Sequence, residues 1–331
     1  MKKLINQVDN VVDEMLEGMV AAYPQYVKRL DGFEVLVRAG GSQGKVALVS
    51  GGGSGHEPAH GGFVGKGMLD GAVAGAVFTS PTPDQVFEAI KAADGGKGVL
   101  LVIKNYTGDV MNFEMAADMA ADEGIEVAQV VVADDVAVEN STWTTGRRGI
   151  AGTIFVHKLA GACAEAGGDL AEVKRIAEKV IANVRSMGMA VDACTVPAAG
   201  KPSFDLAEDE IEIGIGIHGE PGVNREKISS VNDIADKLLT KILDEGIYNS
   251  GDEVAVLVNG MGGTPLMELM IANKHVHEVL GSKGISIAKT IVGNYMTSLD
   301  MEGFSITLLK VDDELKQLLN APADRPAFVQ V

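Results

Sequence analysis

The chain has 331 residues, of which 46% are apolar, and a formal net charge of −18 at pH 7. A chain of this length and composition buries a sizeable core, and its size favours two domains over one. The negative charge argues against direct binding of nucleic acid or anionic membranes, because both are bound mainly through Lys and Arg. Asp9 and Asp13 interrupt the first apolar segment, and no apolar run is long enough to span a bilayer. We therefore expect neither a signal peptide nor a membrane anchor.

The two cysteines, Cys163 and Cys194, are isolated from each other and from any Cys-x-x-Cys or Cys/His spacing. This pattern predicts small buried apolar side chains in a reducing compartment, the cytoplasm. We expect no disulfide, no structural zinc and no other metal site in this chain.

The first half of the chain alternates short apolar β-branched runs with amphipathic segments. This alternation is typical of a mostly parallel sheet covered by helices. In chain order the pattern predicts a helix ending near Tyr26, strands Val46–Ser50 and Ala72–Val77, helix Asp84–Ala93, strand Gly98–Ile103, helix Phe113–Glu123, strand Val127–Ala133, an Ala-rich helix leading to Gly167 and a helix Leu170–Met187.

A stretch rich in Pro and Gly, residues 196–202, predicts a domain boundary just before it. The alternation then resumes. It predicts strand Glu210–Ile217, helix Val231–Glu245, strand Glu253–Val258, helix Pro265–Lys274, strand Ile285–Val292 and strand Phe304–Leu309. The predicted fold class is α/β, with two α/β domains, residues 1–190 and 191–331, whose sheets are mostly parallel or mixed.

The run Gly51–Pro58 directly follows the predicted strand Val46–Ser50 and reads Gly-Gly-Gly-Ser-Gly-His-Glu-Pro. Glycines at the carboxyl end of a parallel strand let the backbone approach a ligand, and His56 beside Glu57 adds groups able to move protons. The dinucleotide-binding fingerprint is excluded because it requires glycine at position 56, and residues 40–46 lack two of the positions that define a Walker loop. A turn that only packs a helix close to the strand is the alternative.

The loop Lys104–Asp109 begins where the predicted strand Gly98–Ile103 ends, so it opens at the same sheet edge as Gly51–Pro58. Its Lys and Asp could bind hydroxyl groups and accept a proton. The alternative is a surface salt bridge, with Asp109 capping the next helix.

A second loop, Ile211–Gly222, places His218 at the end of a strand face that Gly214 and Gly216 leave clear. A structural histidine bonded to a carbonyl is the alternative. For a third loop, Asn259–Pro265, close packing is favoured over ligand contact. The other histidines are interpreted as helix-associated residues rather than ligands: His60, His157, His275 and His277.

Six motifs are distributed over nearly the whole chain. They are Gly51–Pro58, Lys104–Asp109, Gly146–Thr153, Ile217–Gly222, Asn259–Pro265 and Gly293–Gly303. Together they resemble the motifs of the dihydroxyacetone kinase K subunit family. The resemblance implies a homodimer of two-domain α/β subunits that binds dihydroxyacetone covalently.

Carried over residue by residue, the resemblance implies that His218 adds to the ketone carbon as a hemiaminal, which requires a neutral imidazole. His56 and Asp109 would hold the terminal hydroxyl and accept its proton. The remaining substrate oxygens would be bound by Gly53, Ser54, Gly55 and Lys104.

The resemblance also implies a separate L subunit that carries ADP and Mg, with the ADP rephosphorylated by a phosphotransferase-system M subunit. The chain would then be a phosphoenolpyruvate-dependent glycerone phosphotransferase subunit, active only with its partner, and no cofactor is expected in the chain itself. The residues alone support one part of this, the binding of the nucleotide by another subunit. The sequence has no recognisable cradle for the phosphates of a nucleotide.

Two other functions stay open. A paralogue could bind dihydroxyacetone and control a transcription regulator by protein contact. An aldolase or isomerase acting on small sugars could use the same His and Asp residues. The joint presence of His56, Asp109 and His218 favours the kinase subunit over the sensor.

Overall fold

The computed structural model of the protein describes residues 2–139 and 144–330. Positions 1 and 331, at the outer ends of the two predicted domains, lie outside the described residues. Within the described ranges, no helix is both long enough and apolar enough to cross a membrane.

Six strands of the first half form one sheet: β1 (Val27–Arg29), β2 (Val35–Arg38), β3 (Ala47–Ser54), β4 (Gly71–Val77), β5 (Val99–Lys104) and β6 (Val127–Val132). Their order across the sheet is β1-β2-β4-β3-β5-β6. Strands β4, β3, β5 and β6 are parallel, and β1 and β2 add an antiparallel edge. Because β3 and β5 are parallel neighbours, their carboxyl ends meet at one edge of the sheet.

Six later strands form the second sheet: β7 (Val184–Asp192), β8 (Glu210–Ile213), β9 (Asn224–Lys227), β10 (Glu253–Gly260), β11 (Ser286–Gly293) and β12 (Glu302–Val311). Their order is β11-β10-β12-β7-β8-β9. The β10–β11 pair is parallel and the other pairs are antiparallel. A hairpin of β13 (Ala323–Arg325) and β14 (Phe328–Gln330) ends the described chain. Both large sheets are mixed, which confirms the predicted fold class.

The described helices are α1 (Val11–Ala22), α2 (Pro83–Ala93), α3 (Thr107–Asp122), α4 (Thr153–Glu165), α5 (Leu170–Asn183), α6 (Val231–Leu243), α7 (Leu266–Ser282) and α8 (Asp313–Asn320). Asp169 and Ser230 are the N-caps of α5 and α6, because their side-chain oxygens accept hydrogen bonds from backbone N–H groups in the first turns.

Helix α4 lies in the core that joins the two sheets. All of its residues from Thr153 to Ala164 are buried, including the polar side chains of His157 and Lys158, so the helix is covered on every side. The same core contains Leu48 and Leu100 of the first sheet and Leu257 and Leu309 of the second. The two sheets are therefore held together by a shared apolar layer.

Two differences between the structure and the predicted elements concern β7 and β8. The helix predicted over Leu170–Met187 ends at Asn183, and β7 begins at Val184. Residues 184–187 read Val-Arg-Ser-Met, a mixed stretch too short for periodicity to assign it to helix or strand. The strand predicted over Glu210–Ile217 ends at Ile213, because Gly214 has a φ of +78° that is incompatible with extended backbone.

The strands β1, β2, β7, β9, β13 and β14 and the helix α8 were not predicted. Apart from β7, these strands have three or four residues and show too few alternations to be recognised. The division into domains 1–190 and 191–331 stays a prediction. Position 190 lies inside β7, whose residues pair within the second sheet from Val184 onward.

Candidate active site

The strand was predicted to end at Ser50, but β3 continues through three glycines to Ser54. A Cβ on Gly51 would lie 2.5 Å from the carbonyl oxygen of Val73, and one on Gly53 would lie 2.5 Å from the backbone nitrogen of Thr79. These two glycines therefore allow close packing of β4 and the segment after it, whereas the alternative considered for this loop was close packing of a helix. Gly52 differs, because its Cβ would point at Lys104 Nζ, 2.5 Å away.

His56 is fully buried at the end of this strand. Its Nδ1 lies 2.8 Å from the carbonyl oxygen of Thr297, in the segment after β11. A carbonyl only accepts hydrogen bonds, so Nδ1 carries a proton and donates it. Burial, followed by the charges of His218 and Lys104, holds the pKa of His56 well below its usual value. His56 is therefore a neutral ring whose Nε2 lone pair is available.

His218 lies in the loop after β8 and is oriented by Glu220. The Glu220 carboxylate accepts a hydrogen bond from the backbone N–H of His218 at 2.8 Å, and its other oxygen lies 3.2 Å from His218 Nδ1. Burial alone raises the pKa of Glu220, but its hydrogen bond and charge interaction with His218 and the charge of Arg148 lower it to about 2. An ionised carboxylate at this distance keeps a proton on Nδ1 and leaves Nε2 as the reactive nitrogen.

The two Nε2 atoms of His56 and His218 are 3.0 Å apart. Both Nδ1 atoms face acceptors, the carbonyl of Thr297 and the Glu220 carboxylate, so in the neutral rings both Nε2 atoms carry lone pairs. His218 Nε2 is then a nucleophile beside a second proton-accepting nitrogen.

Two aromatic rings hold the His218 imidazole edge-on. The centroid of the Tyr106 ring is 4.6 Å away at 90°, and that of Phe78 is 5.2 Å away at 87°. Phe78 also stacks on His56 at 5.2 Å. The φ of Phe78 is +55°, a left-handed conformation that non-glycine residues rarely adopt and that clusters at functional sites. The rings fix His218 and limit the access of water to it.

Lys104 at the end of β5 and Asp109 in the first turn of α3 are both buried, with 3.8 Å between Nζ and Oδ2. The alternative of a surface salt bridge is therefore wrong. Among the described residues, Lys104 Nζ, Asp109 Oδ1 and the Tyr106 hydroxyl have no hydrogen-bond partner. Burial lowers the pKa of Lys104, opposed by the charges of Asp109 and Glu220. Polar atoms that are buried without partners are suited to bind the oxygens of a small polar ligand.

These groups surround an open cavity of about 600 Å³. Its lining residues are Gly53, Phe78, Thr79, Ser80, Tyr106, Thr107, Gly108, Asp109, Asn112 and His218. Three predicted site residues, Gly53, Asp109 and His218, thus line one cavity, although 165 positions separate Gly53 from His218 in the chain (218 − 53).

The other predicted site residues lie behind this lining. His56 and Lys104 are fully buried and adjoin it through His218 and Asp109. The hydroxyl of Ser54 donates to the carbonyl of Gly75 at 2.7 Å, and the N–H of Gly55 donates to the Glu57 carboxylate at 3.1 Å. These two residues thus have internal hydrogen-bond partners.

Sequence reasoning missed four residues that shape the site: Phe78, Tyr106, Glu220 and Thr297. Tyr106 and Glu220 lie inside loops that had been singled out, and a carboxylate two positions after a candidate nucleophile is a usable signal. Thr297 lies inside the motif Gly293–Gly303, but the motif did not indicate its contact with His56. Phe78 gave no signal, because it reaches the site only through the packing of distant segments.

The loop Asn259–Pro265 has a supporting role, as its favoured interpretation predicted. The Asn259 side chain donates to the carbonyl of Met296 at 2.8 Å and accepts from the N–H groups of Tyr295 and Met296. Because Thr297 follows directly, this loop positions the carbonyl that binds His56. Of the remaining histidines, His60 and His157 form a buried pair, with Nδ1 and Nε2 3.0 Å apart.

Comparison with known proteins agrees with this geometry. The Dak1 domain matches residues 17–327. The chain is 57% identical to "PTS-dependent dihydroxyacetone kinase 1, dihydroxyacetone-binding subunit DhaK" of Listeria innocua, over 99% of this chain and 100% of the relative. Two solved structures share the fold. The dihydroxyacetone kinase operon co-activator Dha-DhaQ has a TM-score of 0.92 and 39% identity, over 98% of this chain and 99% of that one.

The second structure is the dihydroxyacetone kinase from C. freundii in complex with AMP-PNP and Mg²⁺, with a TM-score of 0.91 and 36% identity. The match covers 99% of this chain but only 61% of that one. The resemblance inferred from the motifs is thus confirmed over nearly the full length. The chain belongs to the Dak1 domain family.

Proposed function

We propose that this chain is the dihydroxyacetone-binding subunit of a dihydroxyacetone kinase, in which His218 binds the ketone covalently. The observation that carries the proposal is the His218 imidazole, oriented by Glu220 and aimed into a cavity that Asp109 also lines. The name of the Listeria innocua relative supports the same ligand. The chain would act in the cytoplasm.

The covalent step balances as an addition. The Nε2 lone pair of His218 forms a bond to the ketone carbon, and the C=O π electrons become a lone pair on oxygen. That oxygen takes up one proton from water in the open cavity. The imidazolium releases its Nδ1 proton through Glu220 to water, so the two proton transfers cancel and the product is a neutral hemiaminal with no atom lost. Glycerol has similar hydroxyls but no carbonyl, so this step selects ketone over polyol.

The second step of the proposal is deprotonation of the terminal hydroxyl as it attacks phosphorus. We assign this proton to the pair His56 and Asp109 jointly, because a neutral imidazole nitrogen and a carboxylate can each accept it. Lys104, beside Asp109, would bind a substrate oxygen with its unpartnered Nζ. The covalent adduct holds the small substrate in one orientation, which raises the probability of productive attack.

The phosphoryl donor would be bound by a separate L-type subunit that carries ADP and Mg, itself rephosphorylated by a phosphotransferase-system M subunit. Of the residues that line the cavity, none is a Lys or Arg that could offset the charge of a nucleotide phosphate. The matched C. freundii kinase, solved with AMP-PNP and Mg²⁺, also has a longer chain than this one. We further propose that the subunit is a homodimer.

A second candidate function is a dihydroxyacetone sensor that controls a transcription regulator. The match to the operon co-activator Dha-DhaQ, over 98% of this chain, favours it. A sensor needs ligand binding but not hydroxyl deprotonation, so Asp109 and His56 would have no required role in it. The two functions therefore differ in whether phosphoryl transfer occurs at all.

The test compares the purified chain alone with the chain plus an L-type subunit and its phosphoryl donor. We expect no dihydroxyacetone phosphate from the chain, dihydroxyacetone, Mg²⁺ and ATP, and turnover that saturates with the partner subunit. His218→Ala with the partner is the matched control. Turnover by the chain alone would contradict the proposal, and absence of turnover with any compatible L subunit would favour the sensor.

A further inference from the structure

The motif Gly146–Thr153 contains a buried arginine to which the proposed function assigns no role. Arg148 is fully buried, and it is one of the largest side chains that the described part of the chain encloses completely. A buried guanidinium is costly unless its charge is paired and its N–H groups are hydrogen-bonded. The neighbours of Arg148 therefore indicate what this residue does.

Two nitrogens of the Arg148 guanidinium are held by hydrogen bonds. Nε donates to Asp135 Oδ2 at 2.7 Å, and Nη2 lies at the same distance from that oxygen. Nη2 also donates to the carbonyl of Gly214 at 2.7 Å. Asp135 follows β6 of the first sheet, whereas Gly214 begins the loop after β8 that carries His218. Arg148 thus connects this loop to the first sheet.

The third nitrogen of the guanidinium, Nη1, lies beside Glu220. Nη1 has no hydrogen-bond partner among the described residues. A Cβ on Gly216 would lie 2.5 Å from Glu220 Cδ and 2.8 Å from Arg148 Nη1, so both charged groups pack against the same backbone position. Glu220 is only 4% exposed, and charges removed from water interact strongly. Burial raises the pKa of Glu220, but the hydrogen bond and charge of His218, followed by the charge of Arg148, lower it to about 2.

The number of protons on the Glu220–His218 pair decides whether His218 is a nucleophile. With one proton, held on Nδ1 and facing the carboxylate, Nε2 has a free lone pair. With a second proton, either the imidazole is a cation or neutral Glu220 donates to Nδ1, and in both cases Nε2 carries a hydrogen. Burial favours the second proton because it removes the net charge of the pair. The positive charge of Arg148 opposes it.

We propose that Arg148 is a positioning residue for covalent ketone binding, which acts through Glu220 and the His218 loop to keep His218 Nε2 free for attack. The inference rests on the proposed function, because it concerns the same covalent step. Arg148 is not among the residues that line the cavity, so it acts through its neighbours. Asp135 fixes the guanidinium, the guanidinium stabilises the charge of Glu220, and Glu220 orients His218.

The first experiment measures the rate of adduct formation with dihydroxyacetone by intact mass. Arg148→Met should lower this rate by about 10-fold or more, within the range for residues of one charge network. Arg148→Lys, which keeps the charge, should recover part of it. Arg147→Met is the matched control, because Arg147 belongs to the same motif and pairs with Glu245 at 2.7 and 2.8 Å but does not line the cavity. It should leave the rate unchanged.

A second variant covers the case in which Arg148→Met fails to fold. Removal of Arg148 alone leaves Asp135 buried without its partner, which is strongly destabilising. Arg148→Met combined with Asp135→Asn removes both charges, and this neutral pair should show the same loss of rate. Circular dichroism verifies that each variant is folded.

The second experiment separates action through Glu220 from a structural role. Glu220→Gln already lacks the carboxylate, so adding Arg148→Met should slow adduct formation no further, whereas independent losses would multiply. The rate against pH gives another readout. Loss of the Arg148 charge raises the pKa for the second proton of the pair, so the rate should begin to fall at a higher pH than in the wild type. Other titratable groups around the pair, unaltered in the variant, are His56, Lys104, Tyr106, Asp109 and Asp135.

The outcomes distinguish this inference from the proposed function. No adduct in the wild type would overturn the proposed function itself. An adduct that forms equally fast in the wild type, in Arg148→Met and in the combined variant would overturn only the role of Arg148. Losses that multiply in the Glu220→Gln background, with an unshifted pH profile, would overturn the action through Glu220.

Discussion

His56 Nε2 lies 3.0 Å from His218 Nε2, and this contact joins the two halves of the chain at the chemical centre. His56 follows β3 of the first sheet, whereas His218 follows β8 of the second. Each ring is oriented from its Nδ1 side by a different partner, Thr297 or Glu220. The site therefore depends on the relative position of the two sheets, which the core around α4 fixes.

The first prediction is that His218→Ala abolishes the covalent ketone adduct while the protein stays folded. His218 lies on a loop and is part of no apolar core, so its removal leaves the main packing intact. Intact-mass measurement with dihydroxyacetone detects the adduct, and His277→Ala on α7 is the matched control. Equal adduct in wild type and His218→Ala would contradict the assignment of the nucleophile.

The second prediction concerns Glu220→Gln, which keeps the size and the hydrogen-bond acceptor but removes the charge. Because the pKa of Glu220 is held at about 2, the wild-type carboxylate is ionised at every pH at which the protein is assayed. The amide no longer stabilises positive charge on His218, and adduct formation should fall by about 10-fold to 100-fold, as for other residues that support a reactive histidine.

The rate of adduct formation against pH checks the Glu220 prediction. Glu220→Asp, which keeps the charge, should recover part of the rate. Equal rates for wild type and Glu220→Gln would mean that Glu220 only shapes the loop.

The predicted loops at the ends of β3 and β5 lie side by side in the structure, because β3 and β5 are parallel neighbours whose carboxyl ends meet at one sheet edge. His218 was located for a partly wrong reason. The predicted strand alternation ends at Ile213, and Gly214 turns the backbone instead. Gly216 is needed because its Cβ would collide with the Glu220 carboxylate. Gly214 and Gly216 correctly indicated a site at His218, but they are there to form a tight loop around Glu220.

Local sequence patterns do not predict contacts between distant segments. Phe78 reaches both histidines only because β4 ends beside β3, and Thr297 reaches His56 from 241 positions away. The prediction of a helix at Val184 was wrong for a similar reason, since pairing with β12 makes the chain a strand there. Tertiary contacts override weak local preference at such positions.

The third prediction is that Asp109→Asn keeps the adduct and loses transfer. Asparagine has nearly the same shape but accepts no proton, so turnover with the partner subunit should fall by about 10²-fold to 10⁴-fold. Single-turnover rates and adduct mass are measured on the same samples, with Asp118→Asn on α3 as the control. Loss of the adduct as well would show that Asp109 positions the substrate.

The fourth prediction uses Gly52→Ala. The new Cβ would lie 2.5 Å from Lys104 Nζ, and Gly52 has a φ of +152°. Gly167→Ala is a matched control, because its φ is +92° and nothing lies within 4 Å of its Cβ. Since the end of a Lys side chain can shift, we expect a similar loss of stability in both variants, about 1 kcal/mol, but weaker dihydroxyacetone binding only in Gly52→Ala. Unchanged dihydroxyacetone binding in Gly52→Ala would show that Lys104 does not take part in binding.

The fifth prediction concerns stability against pH. Burial lowers the pKa of His157 to about 3, with a smaller effect of the Lys104 charge, whereas the unfolded value is about 6.5. Between these values the unfolded chain binds a proton that the folded chain does not, so stability falls as pH falls, by about 1.4 kcal/mol per pH unit for this one group.

His157→Asn should flatten the dependence of stability on pH, measured by urea unfolding from pH 7 to pH 5. His277→Gln, an exposed matched control, should not. An equally steep dependence in His157→Asn would show that His157 is not a source of acid sensitivity.

The last prediction concerns where the phosphoryl-donating partner binds. Thr107 and Asn112 of α3 line the cavity, and Met111 and Met115 are exposed at 57% and 53% on the same helix. Flexible Met side chains suit a protein contact, and a partner seated there would close the cavity against water, which competes for the phosphorus. Met111→Glu with Met115→Glu should therefore raise the partner concentration needed for half-maximal rate by about 10-fold or more.

Adduct formation by the partner-free chain should be unchanged in this double variant, because neither Met lines the cavity. Val329→Glu, equally apolar and exposed in the wild type, is the matched control and should leave the partner dependence unaltered. Titration of the partner subunit at saturating dihydroxyacetone separates weaker docking from slower chemistry: weaker docking shifts the midpoint and preserves the plateau. A lower plateau with an unshifted midpoint would mean that α3 acts on the cavity itself and that the partner binds elsewhere.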